Sequence, residues 1–295
     1  MKPSKFDYQL PATLTECLEF LATDTEDVAI IAGGQSLVPL LNLRMAKPDR
    51  VVDINNIPEL REFRREKDTL LVGAMVRHNT VQTHEFFRTN LPLMSEAMES
   101  VAHVQIKTRG TLGGNLCNAH PASEMPAVML ALGARLRCRS KKAGDRIIPI
   151  EEFFVGSMDN ALNNDEILCE IQIQAPSANT GWAFQELARR HGDFAQCGAA
   201  VLIGVEDGKI NYARIGLCSV AATPIRFNAL EEWLIGMEIG ENLVEEVSRF
   251  SAENLTVEDD PNMSTGNKVT LASTLIARTV ARATDRVSQV NLKKG

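Results

Sequence analysis

The sequence predicts an α+β chain in two units, on three observations. Apolar runs of strand length alternate with helical stripes through the first 174 residues. A cluster of Pro, Ser, Asn and Gly, APSANTG at 175–181, then reads as a linker. Beyond it come three consecutive strand-like segments and three helical patterns, which together make an antiparallel meander under a helical layer.

In chain order, TLTECLEFLA opens with Thr13 and then Glu16, the spacing of a capping box. Leu14, Cys17, Leu18 and Leu21 form one apolar helical stripe. VAIIA (28–32) is a buried-strand run stopped by Gly33 and Gly34, and RVVDI (50–54) and TLLVGAMV (69–76) are two further short strands. From about 78 to 105 the pattern is helical, with Leu93, Met94, Ala97, Met98 and Val101 on one face. PAVMLALGA (126–134) begins with a proline suited to a first helical turn. ARLRCRS (134–140) alternates as a half-exposed strand, and EILCEIQI (166–173) is another strand. In the second unit, WAFQELARR, FAQCGAAVLIGV and INYARIGLCSV make the meander, with Asp207-Gly208 as the hairpin turn between the last two. PIRFNALEEWLIG, ENLVEEVSRFSAENL and LASTLIARTVARATDRV supply the helices.

Composition narrows the function classes. With 31 basic and 38 acidic residues the net charge is −7, and no long run of like charge occurs, which argues against a nucleic-acid binder held by phosphate contacts. No segment approaches the ~18 apolar residues of a membrane span. The N-terminus lacks the apolar core and cleavage site of a secretory signal, so the expected location is the cytoplasm. The 6 cysteines never fall within three residues of one another, and the 5 histidines form no HxH or HExxH pattern, so no metal or iron–sulfur spacing is present.

Two segments carry the chemistry: IIAGGQSLVPLL (30–41) and RGTLGGNLCNAHPASEMP (109–126). Each sets a glycine pair beside a hydroxyl and an amide, Ser36 and Gln35 in the first, Thr111 and Asn115 in the second. One such pair is commonly only a turn. Two of them suit an anion, because bare backbone approaches a diphosphate closely and its N–H groups point inward. Neither ends in GK[ST] nor reads GxGxxG, so Walker and Rossmann chemistry are unsupported.

Extended to IIAGGQSLVPLLNLRMAKPDRVVDINNI and QIKTRGTLGGNLCNAHPASEMPAVMLALGA, and joined by ELARRHGDFA (186–195), these segments resemble the FAD-binding medium subunit of three-subunit molybdenum hydroxylases. That family includes carbon monoxide dehydrogenase, quinoline 2-oxidoreductase and nicotine dehydrogenase, with the FAD domain of xanthine dehydrogenase as a relative. The resemblance covers nearly the whole chain. It implies a vanillyl-alcohol-oxidase (PCMH)-type FAD-binding domain over 1–176, made of two α+β subdomains at about 1–56 and 57–176. A carbon monoxide dehydrogenase flavoprotein-like domain over 180–290 follows, carrying the three-stranded antiparallel sheet and helical layer.

By the same resemblance, Ala32, Gly33, Gly34, Gln35 and Ser36 hold the diphosphate from one side, and Thr111, Gly113, Gly114 and Asn115 from the other. Asn118, Ser123 and Glu124 match the stretch where the family carries an acidic residue reaching the cofactor. Leu168 matches an apolar neighbour of the adenine or flavin. Phe194 matches an aromatic against the isoalloxazine, with core packing as its plain alternative. Gln185 stands where xanthine dehydrogenase has lysine, which leaves Arg189, Arg190 or His191 to supply positive charge, Arg190 being taken as the cofactor contact. The cysteine-bearing insert of the benzoyl-CoA-reductase branch is absent.

The function implied is electron transfer: 2Fe–2S clusters of a small subunit pass electrons through FAD to an external acceptor, while a molybdopterin large subunit hydroxylates an N-heteroaromatic substrate. The implied assembly is a dimer of heterotrimers, a heterohexamer. No general acid, base, nucleophile or metal is expected in this chain. A self-sufficient FAD-dependent oxidase of the same fold is the alternative, although ~110 residues beyond the linker are few for a substrate domain. A covalent flavin would use His120 or Cys117. A non-catalytic nucleotide-binding subunit is the third reading.

Overall fold

The computed structural model describes residues 2–23, 26–259 and 263–292. Strands β1 (Asp7–Gln9), β2 (Val28–Ile31) and β3 (Arg50–Asp53) form a parallel sheet in the order β1-β3-β2, with α1 (Leu14–Leu21) and α2 (Leu37–Asn42) in its connections. The capping box of α1 forms: Thr13 Oγ1 accepts from Glu16 N at 3.2 Å, and Glu16 Oε2 accepts from Ala12 N at 2.8 Å. The stripe Leu14, Cys17, Leu18 and Leu21 is buried as its spacing requires. Strand β2 departs from expectation, since it is only half-buried along its length; one side of it borders a cavity.

The second sheet is antiparallel. Strands β4 (Phe63–Glu66), β5 (Thr69–Gly73), β6 (Arg135–Ser140) and β7 (Gly144–Pro149) join, after a small hairpin of β8 (Phe154–Gly156) and β9 (Asp159–Asn160), with β10 (Glu166–Gln174) in the order β4-β5-β10-β6-β7. Six helices run between β5 and β6: α3 (His78–Thr83), α4 (Glu85–Asn90), α5 (Pro92–Ser100), α6 (Val104–Arg109), α7 (Leu112–Asn118) and α8 (Glu124–Leu132). The five apolar residues expected on one face between 93 and 101 are all buried.

Past the connection at 175–179, β11 (Thr180–Ala188), β12 (Ala195–Glu206) and β13 (Lys209–Cys218) form the expected meander, and β14 (Ile225–Arg226) adds a two-residue fourth strand. Asp207 and Gly208 take φ of 51° and 76°, the paired left-handed geometry of a type I′ turn. Helices α9 (Asn228–Leu234), α10 (Leu243–Asn254) and α11 (Thr265–Leu292) cover one face of this sheet.

The other face of the meander packs on α8, so the linker joins units that share a core. Every residue of α8 from Glu124 to Leu132 is buried, which a helix apolar on all sides demands. The approach is close enough that a Cβ on Gly216 of β13 would stand 2.0 Å from Ala127 O. An ion pair clamps the same seam. Glu96 of α5 accepts from Phe184 N at 3.2 Å and pairs with Arg286 of α11, which also donates to Trp182 O at 2.6 Å.

Replacing Gly216 by alanine is expected to force α8 off the sheet. Overpacking of this kind costs about 1–3 kcal/mol or more, and a lowered midpoint in chemical denaturation checks it.

Candidate functional site

The site is built where the two sheets of the first unit meet. Beyond β5 the backbone of residues 74–78 seats the second glycine segment: Gly113 N donates to Ala74 O at 2.7 Å, Leu112 N to Val76 O at 2.9 Å, and His78 N to Gly110 O at 3.0 Å. His78 Nε2 lies 2.9 Å from Thr111 O. A carbonyl can only accept, so Nε2 carries the proton.

This second segment is not the loop its glycines suggest. Thr111 is the N-cap of α7, its Oγ1 accepting from Gly114 N at 3.1 Å, and Gly113 and Gly114 lie inside the first turn. Glycine is a poor helix former, yet it is required at 113, where a Cβ would stand 2.5 Å from the Cβ of Ala74.

The first segment leaves β2 and packs directly on the second. A Cβ on Gly33 would stand 2.5 Å from Arg109 O and 2.9 Å from Gly110 Cα. Gly34 takes φ +73°, the left-handed region that favours glycine. Gln35 Nε2 donates to Gly33 O at 2.9 Å, and Ser36 is the N-cap of α2 without capping it. The bare positions at 33 and 113 are thus needed for contact between protein segments.

Between and beside the segments lies a cavity of about 530 Å³. Ala32, Gly33, Gly34, Gln35 and Ser36 line one wall, and Thr111, Gly113, Gly114 and Asn115 face them. Asn118, Ser123, Glu124 and Leu168 continue the lining. Phe194 closes one end, 64% exposed and stacked on His120 with ring centroids 4.1 Å apart, so core packing is not its role.

Arg190 is the exception among the expected site residues. It opens the turn Arg190–Asp193, in which Asp193 N donates to Arg190 O at 3.1 Å and Gly192 has φ +87°. That turn delivers Asp193 and Phe194 to the cavity and leaves Arg190 exposed outside its lining. Arg189 and His191 are exposed as well, and Gln185 faces α11, its Oε1 accepting from Thr279 Oγ1 at 3.2 Å. Met75, His78, Ile106 and Asp193 line the cavity without having been singled out. The apolar and helical patterns around the first three gave no signal of a cavity.

The charge at the wall is acidic, and burial governs it. Glu124, 5% exposed on the first turn of α8, is pushed up to about 7 mainly by burial, against the pull of Lys107. Glu186 behind it is also raised to about 7 by burial and by the charge of Glu124. Burial holds His78 down at about 4, so its imidazole is neutral at neutral pH. Burial pushes the Cys117 thiol up to about 12, which leaves it a poor nucleophile. Two lining residues keep a buried polar atom without a partner, Asn115 Oδ1 and His78 Nδ1.

Glu124 makes stability depend on pH. A carboxyl raised from 4.5 to about 7 on folding contributes stability that is complete below about 4.5 and lost as pH rises through about 7. Glu124→Gln in the ligand-free chain is therefore expected to gain on the parent between pH 5 and 8, by on the order of 2 kcal/mol, read by urea titration at each pH.

The chain matches two families in succession: the FAD binding domain in molybdopterin dehydrogenase over residues 4–176 and the CO dehydrogenase flavoprotein C-terminal domain over residues 182–283. It is 60% identical over 295 residues, the full length of both chains, to caffeine dehydrogenase subunit beta of Pseudomonas sp. strain CBB1. Among solved structures, it superposes on quinoline 2-oxidoreductase of Pseudomonas putida 86 with a TM-score of 0.91 and 34% identity, covering 97% of this chain and 99% of that one. Carbon monoxide dehydrogenase of Hydrogenophaga pseudoflava gives the same TM-score, 0.91, at 32% identity, covering 97% of this chain and 99% of that one. The chain belongs to the family of FAD-binding medium subunits of molybdenum hydroxylases.

Proposed function

We propose that this chain is the electron-transfer subunit of a heterotrimeric molybdenum hydroxylase. In this reading a small subunit with 2Fe–2S clusters feeds electrons to the FAD held here. An external acceptor takes them, and a molybdopterin large subunit hydroxylates an N-heteroaromatic substrate. The full-length identity of 60% to a caffeine dehydrogenase subunit favours methylxanthines within that class. The reading includes a cytoplasmic dimer of heterotrimers and a division into an FAD-binding unit over 1–176 and a C-terminal unit over 180–290. Among the described residues no helix is long and apolar enough to cross a membrane.

The observation that carries this reading is the meeting of two glycine segments, one after β2 and one between α6 and α7, on one cavity. The residues fit a dinucleotide diphosphate. Backbone N–H groups of the first segment serve as donors, the Ser36 hydroxyl is not used as a helix cap, and the Thr111 and Asn115 side chains line the cavity opposite them. When bound, FAD accepts electrons singly and releases them in pairs. The chain's own work is to bind, orient and exclude water. Leu168 and Met75 keep one wall dry at 3% and 1% exposure. Glu124 holds a proton on its carboxyl near neutral pH. Phe194, stacked on His120, covers one end.

Two outcomes are expected. Gly33→Ala forces the segments apart and raises the FAD dissociation constant about ten-fold or more, measured by flavin fluorescence titration; unchanged affinity in this variant refutes the cradle. The purified chain alone, once reconstituted with FAD, oxidises no N-heteroaromatic compound, whereas co-expression with its two partners gives a complex containing iron and molybdenum. Turnover by the isolated chain favours the self-sufficient oxidase instead.

A further inference from the structure

The two cradle segments are tied together from behind by a side chain that does not line the cavity. Arg77 sits in the seat of the second segment, its backbone bridged to Thr111. Its guanidinium turns the other way: Nη1 donates to Arg109 O and Nη2 donates to Asn55 Oδ1. Each acceptor leads to the first segment. Arg109 O is the atom against which Gly33 packs, and Asn55 Nδ2 donates to Ala32 O at 2.7 Å. Asn55 is itself fixed by Asp53, whose Oδ1 accepts from Asn55 N at 2.9 Å and from Nδ2 at 2.6 Å. Arg61 donates to Asn55 O from the same side.

The local charge is one-sided. Burial, and then the fields of Arg109 and Arg61, pull the Arg77 guanidinium below its ordinary value, with Asp53 as the opposing carboxylate. The position therefore combines a fork that two separate acceptors require with a positive field beside a candidate diphosphate pocket.

We propose that Arg77 is the positioning residue of the cradle, fixing the spacing of the Gly33 and Thr111 segments through Arg109 O and Asn55 and biasing the pocket toward an anion. This rests on the FAD reading given above. Lysine at this position keeps the charge, but its single ammonium on a flexible stem does not reproduce a planar fork reaching two acceptors.

The test uses the full chain, titrated with FAD and, separately, with ADP, which has the diphosphate and adenosine but no flavin. Arg77→Lys is expected to weaken both ligands by a similar factor, about ten-fold. Amide exchange at Gly33–Ser36 should quicken in the ligand-free variant while its thermal midpoint stays at the parent value. Asn55→Ser, which removes only the far end of the tie, is expected to reproduce the loss in both ligands. Parent-like affinity in Arg77→Lys, or loss of FAD with ADP retained, overturns the proposal while leaving the FAD reading intact. Failure of the unaltered chain to bind FAD overturns both.

Discussion

The contact between Gly33 and the backbone of Arg109 and Gly110 is the constraint on which the site depends. The first segment leaves β2 and the second passes from α6 into α7, and they meet at a distance that admits no side chain, since a Cβ on Gly33 would stand 2.5 Å from Arg109 O. The second segment cannot retreat, because Gly113 is pressed against Ala74 in turn, where a Cβ would stand 2.5 Å from the Cβ of that residue. Bringing the two segments together leaves a cavity walled by the backbone of residues 33–36 on one side and by the Thr111 and Asn115 side chains on the other. A diphosphate asks for that kind of wall, and it costs little reorganisation when the donors are already fixed.

The same economy links the site to the C-terminal unit. Helix α8 is apolar on every side because it serves two sheets, and its first turn carries Glu124 into the cavity. The meander answers from the other side with the turn before β12, which brings Asp193 and Phe194 to the opening. Small residues at the seam, Gly216 and Ala127 among them, let these pieces approach. The C-terminal unit is therefore part of the site's wall, which explains why the connection at 175–179 is short and why the core continues across it.

Much of this was legible in the sequence wherever local chemistry decides structure. The α1 stripe and its cap, the core strands, the meander and the Asp207-Gly208 turn follow from periodicity and turn residues. The glycine pairs marked the two segments that meet at the cavity. What stayed hidden depends on distant partners. FRRE in β4 and GDRIIP in β7 are not marked as strands by periodicity or turn residues, and they pair because β5 and β6 offer them edges. The helical state of Leu112–Asn118 is imposed by the seat at Ala74, against glycine's own preference. Arg190 shares a stretch with Phe194, but across the turn at Gly192 only Phe194 lines the cavity, and Arg190 stays exposed outside it. Nothing local distinguishes Arg77 or Asn55 from surface residues, because their partners lie in other segments.

The most direct test is a structure of the chain with FAD bound. The account predicts the diphosphate between the backbone N–H groups of residues 33–36 and the side chains of Thr111 and Asn115, with Gly33 still seated on Arg109 O. A diphosphate that touches only one of the two segments, or that lies in another part of the molecule, would contradict it.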